Sequence, residues 1–298
     1  MIIRSPLFYV GDKYKLIPQL KNLFPKNINK FIEPFVGGGS VFLNTKAKFY
    51  LLNDIDKNVI KIHKMLNNTN ENEFFSKIFR KIKHYNLSCS YLGITAPKAL
   101  KEKYVKTYYA KFNKNSYLNL RSDFNKNQDN MILLYLLLVY GFNHMIRFNK
   151  NGDFNLPVGN VDFNKNTFEA LKNYLNFIKN KNISFYSCDY LDFFNKIELN
   201  KNDFIYFDPP YLISNSEYNK LWDELNETML YNFIDNLDNE GIKFGITNLL
   251  HHKNKTNYIF KNWSKKYKIY NIKSNYISFN DNTIKNDSKE LYVTNFKE

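Results

Sequence analysis

Short apolar runs, each closed by a turn signal, recur along this chain at lengths that suit buried strands. Phe31-Ile32-Glu33-Pro34-Phe35 runs into Val36-Gly37-Gly38-Gly39-Ser40, and Val41-Phe42-Leu43 then predicts the start of a helix. Phe49-Tyr50-Leu51-Leu52 ends at Asn53-Asp54-Ile55-Asp56, and Val59 to Leu66 reads as helix. Strand-like pieces return at Ile183 to Ser187, Phe204 to Phe207, Ile242 to Thr247, Lys268 to Ile272 and Glu290 to Thr294, with a helical stretch over Glu224 to Leu237. From about 70 to 160 the pattern is instead helical, rich in Lys, Tyr and Asn. Met131 to Tyr140 is apolar on every side, which predicts a buried helix. Lys253 to Asn257 and Asn280 to Asn282 read as solvated loops. Strand, Gly turn, helix, strand, acid is the opening of a nucleotide-binding α/β unit. The expectation is an α/β sheet domain interrupted by a mostly helical insert.

Composition narrows the function. At 298 residues the chain is one large domain or two modest ones. It carries 43 basic and 28 acidic residues, a formal charge of +15, which points to a polyanionic partner. A compositional bias toward Lys would give the same excess without function. Cys89 and Cys188 have neither zinc spacing nor a disulfide framework, which suits a reducing cytoplasm. Residues 1–20 lack the apolar core of a secretory signal, and no run reaches the ~18 residues of a membrane span.

Candidate chemistry centres on Asp208-Pro209-Pro210-Tyr211, at the end of the run Phe204–Phe207. Prolines carry no N–H and hold the preceding residue extended. The segment therefore presents the Asp208 carboxylate and the Pro209 carbonyl as acceptors, which suits an exocyclic amine. Tyr211 can stack on the ring bearing that amine; a plain Pro-Pro turn after a strand is the alternative. The Gly37–Gly39 turn allows a ligand close to the backbone, and it matches neither G-x-G-x-x-G nor a P-loop. Asp54 can accept from ribose hydroxyls or cap a helix. In Tyr9-Val10-Gly11-Asp12-Lys13, a Gly turn before Lys can hold a carboxylate or phosphate. Tyr140 to Asn149, followed by Asn151 to Gly159, reads as a β-hairpin carrying Arg147 among aromatics and amides. Arg can read guanine, and amides such as Asn143 and Asn149 can read adenine. His63, His84, His144, His251 and His252 form no metal pattern.

These residues, in this order, resemble the Dam-type DNA adenine-N6 methyltransferases with the α order of motifs, across nearly the whole chain. Phe-Val-Gly-Gly-Gly-Ser at 35–40 resembles the cofactor motif, Asp-Pro-Pro-Tyr at 208–211 the catalytic motif, and Asn-Gly-Asp-Phe-Asn-Leu-Pro-Val-Gly at 151–159 the recognition hairpin. Phage Dam enzymes are especially similar around Gly141–Asn149 and Gly241–Asn248. The resemblance implies S-adenosylmethionine as methyl donor, on a Rossmann-like methyltransferase sheet with a helical target-recognition insert. The catalytic domain would be 1–60 with 161–298, and the recognition domain 61–160. Tyr9 would pack on the cofactor, Lys13 bind its carboxylate, and Asp54 hold its ribose. Phe35, Gly37 and Gly39 would shape the methionine side, and Asp189 would lie by the adenine. Asp208, Pro209 and Tyr211 would receive a base flipped from duplex DNA. The implied target is GATC, with Arg147 on a guanine, Met145 and Pro157 near the central bases, and Asn143 and Asn149 as further contacts. A cognate restriction endonuclease is an implied partner. Two positions depart from the family: Phe8 stands where some Dam enzymes carry a guanine-contacting Lys, and Asn160-Val161 where some phage members have a second Arg. RNA, a protein amide, another DNA site, or a catalytically inactive DNA-binding role are the alternatives.

Overall fold

A computed structural model describes residues 2–214, 222–273 and 288–296. Its strands are β1 (Lys30–Glu33), β2 (Phe49–Asn53), β3 (Asn182–Tyr186), β4 (Phe204–Phe207), β5 (Lys243–His252), β6 (Lys255–Thr256), β7 (Lys268–Ile272) and β8 (Ser288–Thr294). The helices are α1 (Ile17–Leu20), α2 (Lys57–Asn67), α3 (Glu71–His84), α4 (Lys98–Lys103), α5 (Tyr108–Lys126), α6 (Met131–Tyr140), α7 (Lys165–Ile178), α8 (Tyr190–Phe194), α9 (Glu224–Asn239) and α10 (Tyr258–Trp263). The sheet order is β3-β2-β1-β4-β5-β8-β7, with β6 added to β5. β1 to β5 are parallel, and β8 runs antiparallel between β5 and β7.

Both faces of the sheet are covered, so successive strand residues alternate between two cores. Phe31, Phe204, Tyr206 and Tyr292 enter a core shared with α2, α3, α5, α6 and α7. Ile32, Ile205, Phe207, Leu291 and Val293 enter the opposite core, against α8, α9 and α10. That two-sided burial explains why these strands read as continuous apolar runs. In α6 every residue from Leu133 to Tyr140 is buried, as its uniform apolarity predicts. No helix among the described residues is long and apolar enough to cross a membrane.

The chain leaves β1 toward β2 on one side and reaches β4 on the other, so the strand order reverses between β1 and β4. A crevice opens at such a point, at the carboxyl ends of the strands. Glu33 ends β1, the Gly37–Gly39 turn follows it, and Asp208 follows β4.

Three elements differ from the sequence expectation. Val41-Phe42-Leu43 does not start an α-helix; Phe42–Asn44 forms one 3-10 turn. The Asn44 side chain exchanges hydrogen bonds with the backbone of Ile3, at 2.8 Å in both directions, and Thr45 is already extended. Lys253 to Asn257 is not wholly loop, because Lys255 and Thr256 pair with His252 and His251. β5 also runs past Thr247 to His252, because buried Asn248 donates to Glu227 (2.9 Å) and to the Tyr231 hydroxyl (3.0 Å). The loop expected at Asn280 to Asn282 lies outside the described residues.

Candidate active site

The turn after β1 is shaped by contact. Gly37 and Gly39 have φ of +48° and +81°, which side-chain-bearing residues rarely adopt. A Cβ on Gly38 would lie 2.9 Å from the Tyr9 Cβ, and one on Gly39 only 2.3 Å from the Phe42 ring. Tyr9 thus packs directly on the turn, and the Ser5 hydroxyl donates to the Gly38 carbonyl. Beneath it, fully buried His63 bridges the Gly37 carbonyl and the Tyr174 hydroxyl, both at 2.8 Å. Burial pulls His63 down to about 4, so the ring is neutral near pH 7. A carbonyl only accepts, so Nε2 carries the proton and Nδ1 accepts from Tyr174.

Asp54, after β2, accepts the backbone N–H of Gly37 on one oxygen (2.8 Å) and that of Asp56 on the other (2.9 Å). Burial pushes its carboxyl up to about 6 against the pull of these donors. Asn53 ties this edge to the segment after β3: its amide donates to the Cys188 carbonyl (3.0 Å) and its Oδ1 accepts the Cys188 N–H (3.2 Å). The neighbouring Asp189 caps α8 by accepting from the Leu191 N–H at 2.9 Å. Phe35 lies between Tyr190, with centroids 5.5 Å apart, and Trp222, at 5.9 Å.

Asp208 is held from three sides. Lys13 Nζ lies 2.8 Å from Oδ2 and donates to the Gly11 carbonyl at 3.0 Å. Burial alone would lower the Lys13 pKa; Asp208 and then Glu290 more than reverse that, so the ammonium is retained. Tyr206 and Thr247 hydroxyls meet at 2.8 Å, and Thr247 donates to Asp208 Oδ1 at 3.1 Å. The Tyr211 hydroxyl reaches Asp208 Oδ1 at 3.1 Å and Glu290 Oε1 at 2.7 Å. Lys13 Nζ also sits 4.9 Å from the Tyr211 ring centroid, so one face of that ring is already in contact with a cation. Glu33 completes the group. Burial and then the Asp208 charge push its carboxyl well above the usual range. Its Oε2 has no hydrogen-bond partner among the described residues.

The hairpin expected after α6 is a loop closed by two antiparallel bridges, Gly141–Val158 and Phe148–Phe154. Asn149 Oδ1 accepts the N–H groups of Asn151 and Asp153, both at 2.9 Å, and so builds the tip. Arg147 Nε and Nη2 donate to Asn155 Oδ1 (2.9 Å) and to the Asn155 carbonyl (3.0 Å). Asn143 and Pro157 are exposed, and Met145 is partly buried against the core. The Phe8 ring joins this loop to the N-terminal motif, 5.2 Å from that of His144.

The family model for the D12 class N6 adenine-specific DNA methyltransferases matches residues 9–277, from Tyr9 through the Asp208 motif and beyond. The chain belongs to this family. Among its relatives is the type II methyltransferase M.FokI of Planomicrobium okeanokoites, 32% identical over 99% of this chain and 43% of its own length. The modification methylase StsI of Streptococcus sanguinis is 33% identical over the same shares. The DNA adenine methylase of Escherichia coli K12 is 29% identical over 70% of this chain and 65% of its own. The chain therefore spans less than half the length of the first two. Against this D12 background, the fold brings Tyr9, Lys13, Gly37, Gly39, Asp54 and Asp208 to the carboxyl ends of β1, β2 and β4. Arg147 and Asn149 instead spend hydrogen bonds within their own loop. Sequence reasoning missed three groups at the site: Glu33, Thr247 and Glu290. Glu33 lies within an apolar run, while Thr247 and Glu290 sit at the ends of theirs, so only Glu33 carried a signal, since a buried polar group needs a local reason.

Proposed function

We propose that this chain is a site-specific DNA adenine-N6 methyltransferase that uses S-adenosylmethionine and acts on a base flipped out of the duplex. The observation that carries the reading is the Asp208 carboxylate, held by Lys13, Thr247 and Tyr211 at the reversal of strand order, beside a glycine turn and Asp54. The residues fit the cofactor. Gly38 leaves no room for a Cβ, Asp54 offers acceptors, and Glu33 keeps an unpartnered oxygen nearby. Tyr9, Lys13, Phe35, Gly37, Gly39, Asp54 and Asp189 would hold it. When bound, S-adenosylmethionine supplies an electrophilic methyl group on a sulfonium sulfur.

The chain's own residues position the nucleophile. Asp208 and the Pro209 carbonyl accept the two N–H groups of the adenine amine and draw its lone pair out of conjugation. The carboxylate then faces the positive charge that develops on that nitrogen. Lys13 now occupies Oδ2, so an anionic ligand that draws the ammonium away would release this oxygen to the amine. The same shift would uncover the Tyr211 face for stacking. Extruding the base costs a few kcal/mol, and stacking would return ~1–3 kcal/mol of that.

The charge of +15 supports duplex DNA as substrate. We assign recognition to 61–160 and catalysis to 1–60 with 161–298, in a cytoplasmic protein. GATC is our first choice of site, on the resemblance that the motifs at 35–40, 151–159 and 208–211 bear to the Dam type. A different adenine site, with a cognate endonuclease as partner, is the second reading. It is favoured because the relatives matched over 99% of the chain are named as type II or modification methylases, and by Phe8. Incubation with labelled S-adenosylmethionine and a mixture of duplex DNA, RNA and protein tests the proposal. Label in DNA adenine that disappears in Asp208→Asn supports it. Label in RNA or protein, or none with cofactor still bound, refutes it in favour of another substrate or an inactive binder.

A further inference from the structure

We propose that Arg4 is a specificity-determining side chain that reads a guanine close to the target adenine. The inference rests on the DNA adenine methyltransferase reading and adds a residue outside the hairpin. Its first support is the backbone that carries Arg4. Ile3 is tied to Asn44, Ser5 donates to the Gly38 carbonyl, and the Tyr135 hydroxyl donates to the Pro6 carbonyl at 3.2 Å. The exposed Arg4 side chain therefore leaves from a fixed point beside the cofactor turn.

The second support is the guanidinium itself. Its central carbon lies 4.6 Å from the Phe8 ring centroid and 5.5 Å from that of Tyr14. Contact with two rings restrains a long side chain whose disorder would otherwise oppose binding, and it leaves the edge N–H groups for a ligand. A planar fork held in one orientation matches the paired O6 and N7 acceptors of guanine. A lysine could neither stack in this way nor present two parallel donors.

The third support is place. Tyr14 follows Lys13, which is paired with Asp208, and Phe8 packs on His144 of the loop that carries Arg147. Phe8, Asn143 and His144 all hold positive φ, at 49°, 53° and 50°. Left-handed backbone at non-glycine residues is uncommon and tends to mark functional sites. Here it falls where the N-terminal motif meets the recognition loop. Phe142 and Val10, 45% and 40% exposed, add apolar surface of the kind that contacts bases. Arg147 makes two hydrogen bonds to Asn155, so Arg4 presents a differently anchored guanidinium to the same ligand.

The test is methyl transfer to, and binding enrichment from, duplexes randomised around one adenine. The unmodified chain is compared with Arg4→Ala, Arg4→Lys and Phe8→Leu. Arg4→Ala is expected to lose guanine preference at one position by roughly 5- to 150-fold while other positions keep theirs. Arg4→Lys, which keeps the charge and loses the fork, should relax the same position, and Phe8→Leu should relax it in part. S-adenosylmethionine affinity should be unchanged in all three, which shows that they are folded. A uniform loss over all sequences with a shallower salt dependence, rescued by Arg4→Lys, would make Arg4 a phosphate contact and overturn the proposal. An unchanged preference in Arg4→Ala overturns it outright. Failure of the unmodified chain to methylate any duplex is a separate result, and it sinks the enzyme reading.

Discussion

Lys13 and Asp208 are expected to be coupled in stability as well as in activity. Their side chains are 7% and 17% exposed and 2.8 Å apart. At an effective dielectric of about 20, that separation gives roughly 6 kcal/mol of gross attraction, most of which offsets desolvation. Removing one partner of such a pair typically costs about 3–5 kcal/mol, because the other charge is stranded. Asp208→Asn leaves Lys13 still facing the Glu290 and Asp12 carboxylates, so a loss near the low end, about 3 kcal/mol, is expected. Lys13→Met leaves Asp208 the Thr247 hydroxyl as donor, with the Tyr211 hydroxyl shared with Glu290, and should cost less, about 2 kcal/mol. The double variant removes both charges and should recover about 2 kcal/mol relative to the sum. Urea unfolding of the four proteins at equal ionic strength measures this coupling. Losses that add to within about 0.5 kcal/mol would show that the pair does not interact, and the arrangement around Asp208 would then be wrong. The activity of Asp208→Asn must likewise be read at a temperature where that variant is folded.

Other parts of the site respond to pH and sequence. Asp54, raised to about 6, accepts from ribose hydroxyls more strongly when ionised, so S-adenosylmethionine affinity should fall as pH drops below that value. Calorimetry across pH 4.5–7.5 checks this, and Asp54→Asn should bind weakly with no such slope. His63 is held neutral with its pKa near 4, whereas the unfolded ring takes a proton below about 6.5. Its contribution to stability is therefore complete above the unfolded pKa and is lost as pH falls from about 6.5 toward 4, by up to about 3 kcal/mol. His63→Gln should show a correspondingly shallower decline in unfolding midpoint over that window. Arg147→Ala should relax one base position by ~1–3 kcal/mol in methylation of a randomised duplex pool. Asn155→Ala, which removes the 2.9 Å partner of Arg147 Nε, should blur the same position less.

Local patterns were legible where one physical cause dominated. β4 and β7 appear at the bounds their runs predict, because turn residues bracket them; β4 is buried on both faces, whereas β7, at the sheet edge, leaves Ile269 exposed. The end of β5 was not, since Asn248 and the histidines look like loop until Glu227 and Tyr231 are seen to satisfy the buried amide. The helix expected after Gly39 fails for a similar reason: Asn44 finds a backbone partner in the distant Ile3. At the candidate site, the Asp208 and Gly37–Gly39 motifs pointed to the strand ends, but residue type alone could not pair Lys13 with Asp208. Glu290 arrives from an antiparallel strand far along the chain, and only the sheet order places it behind Tyr211. The loop after α6 was least legible. Arg147 and Asn149 carry donors and acceptors that suit bases and backbone equally, and the fold uses several of them locally.

The central claim is that Asp208 presents an adenine amine to a methyl donor in duplex DNA. The most direct measurement is modification mapping of DNA from cells that express the chain, beside cells that express folded Asp208→Asn. The account predicts N6-methyladenine at one recurrent sequence context in the first and none above background in the second. Unmodified adenine in both, or equal modification in both, would contradict it.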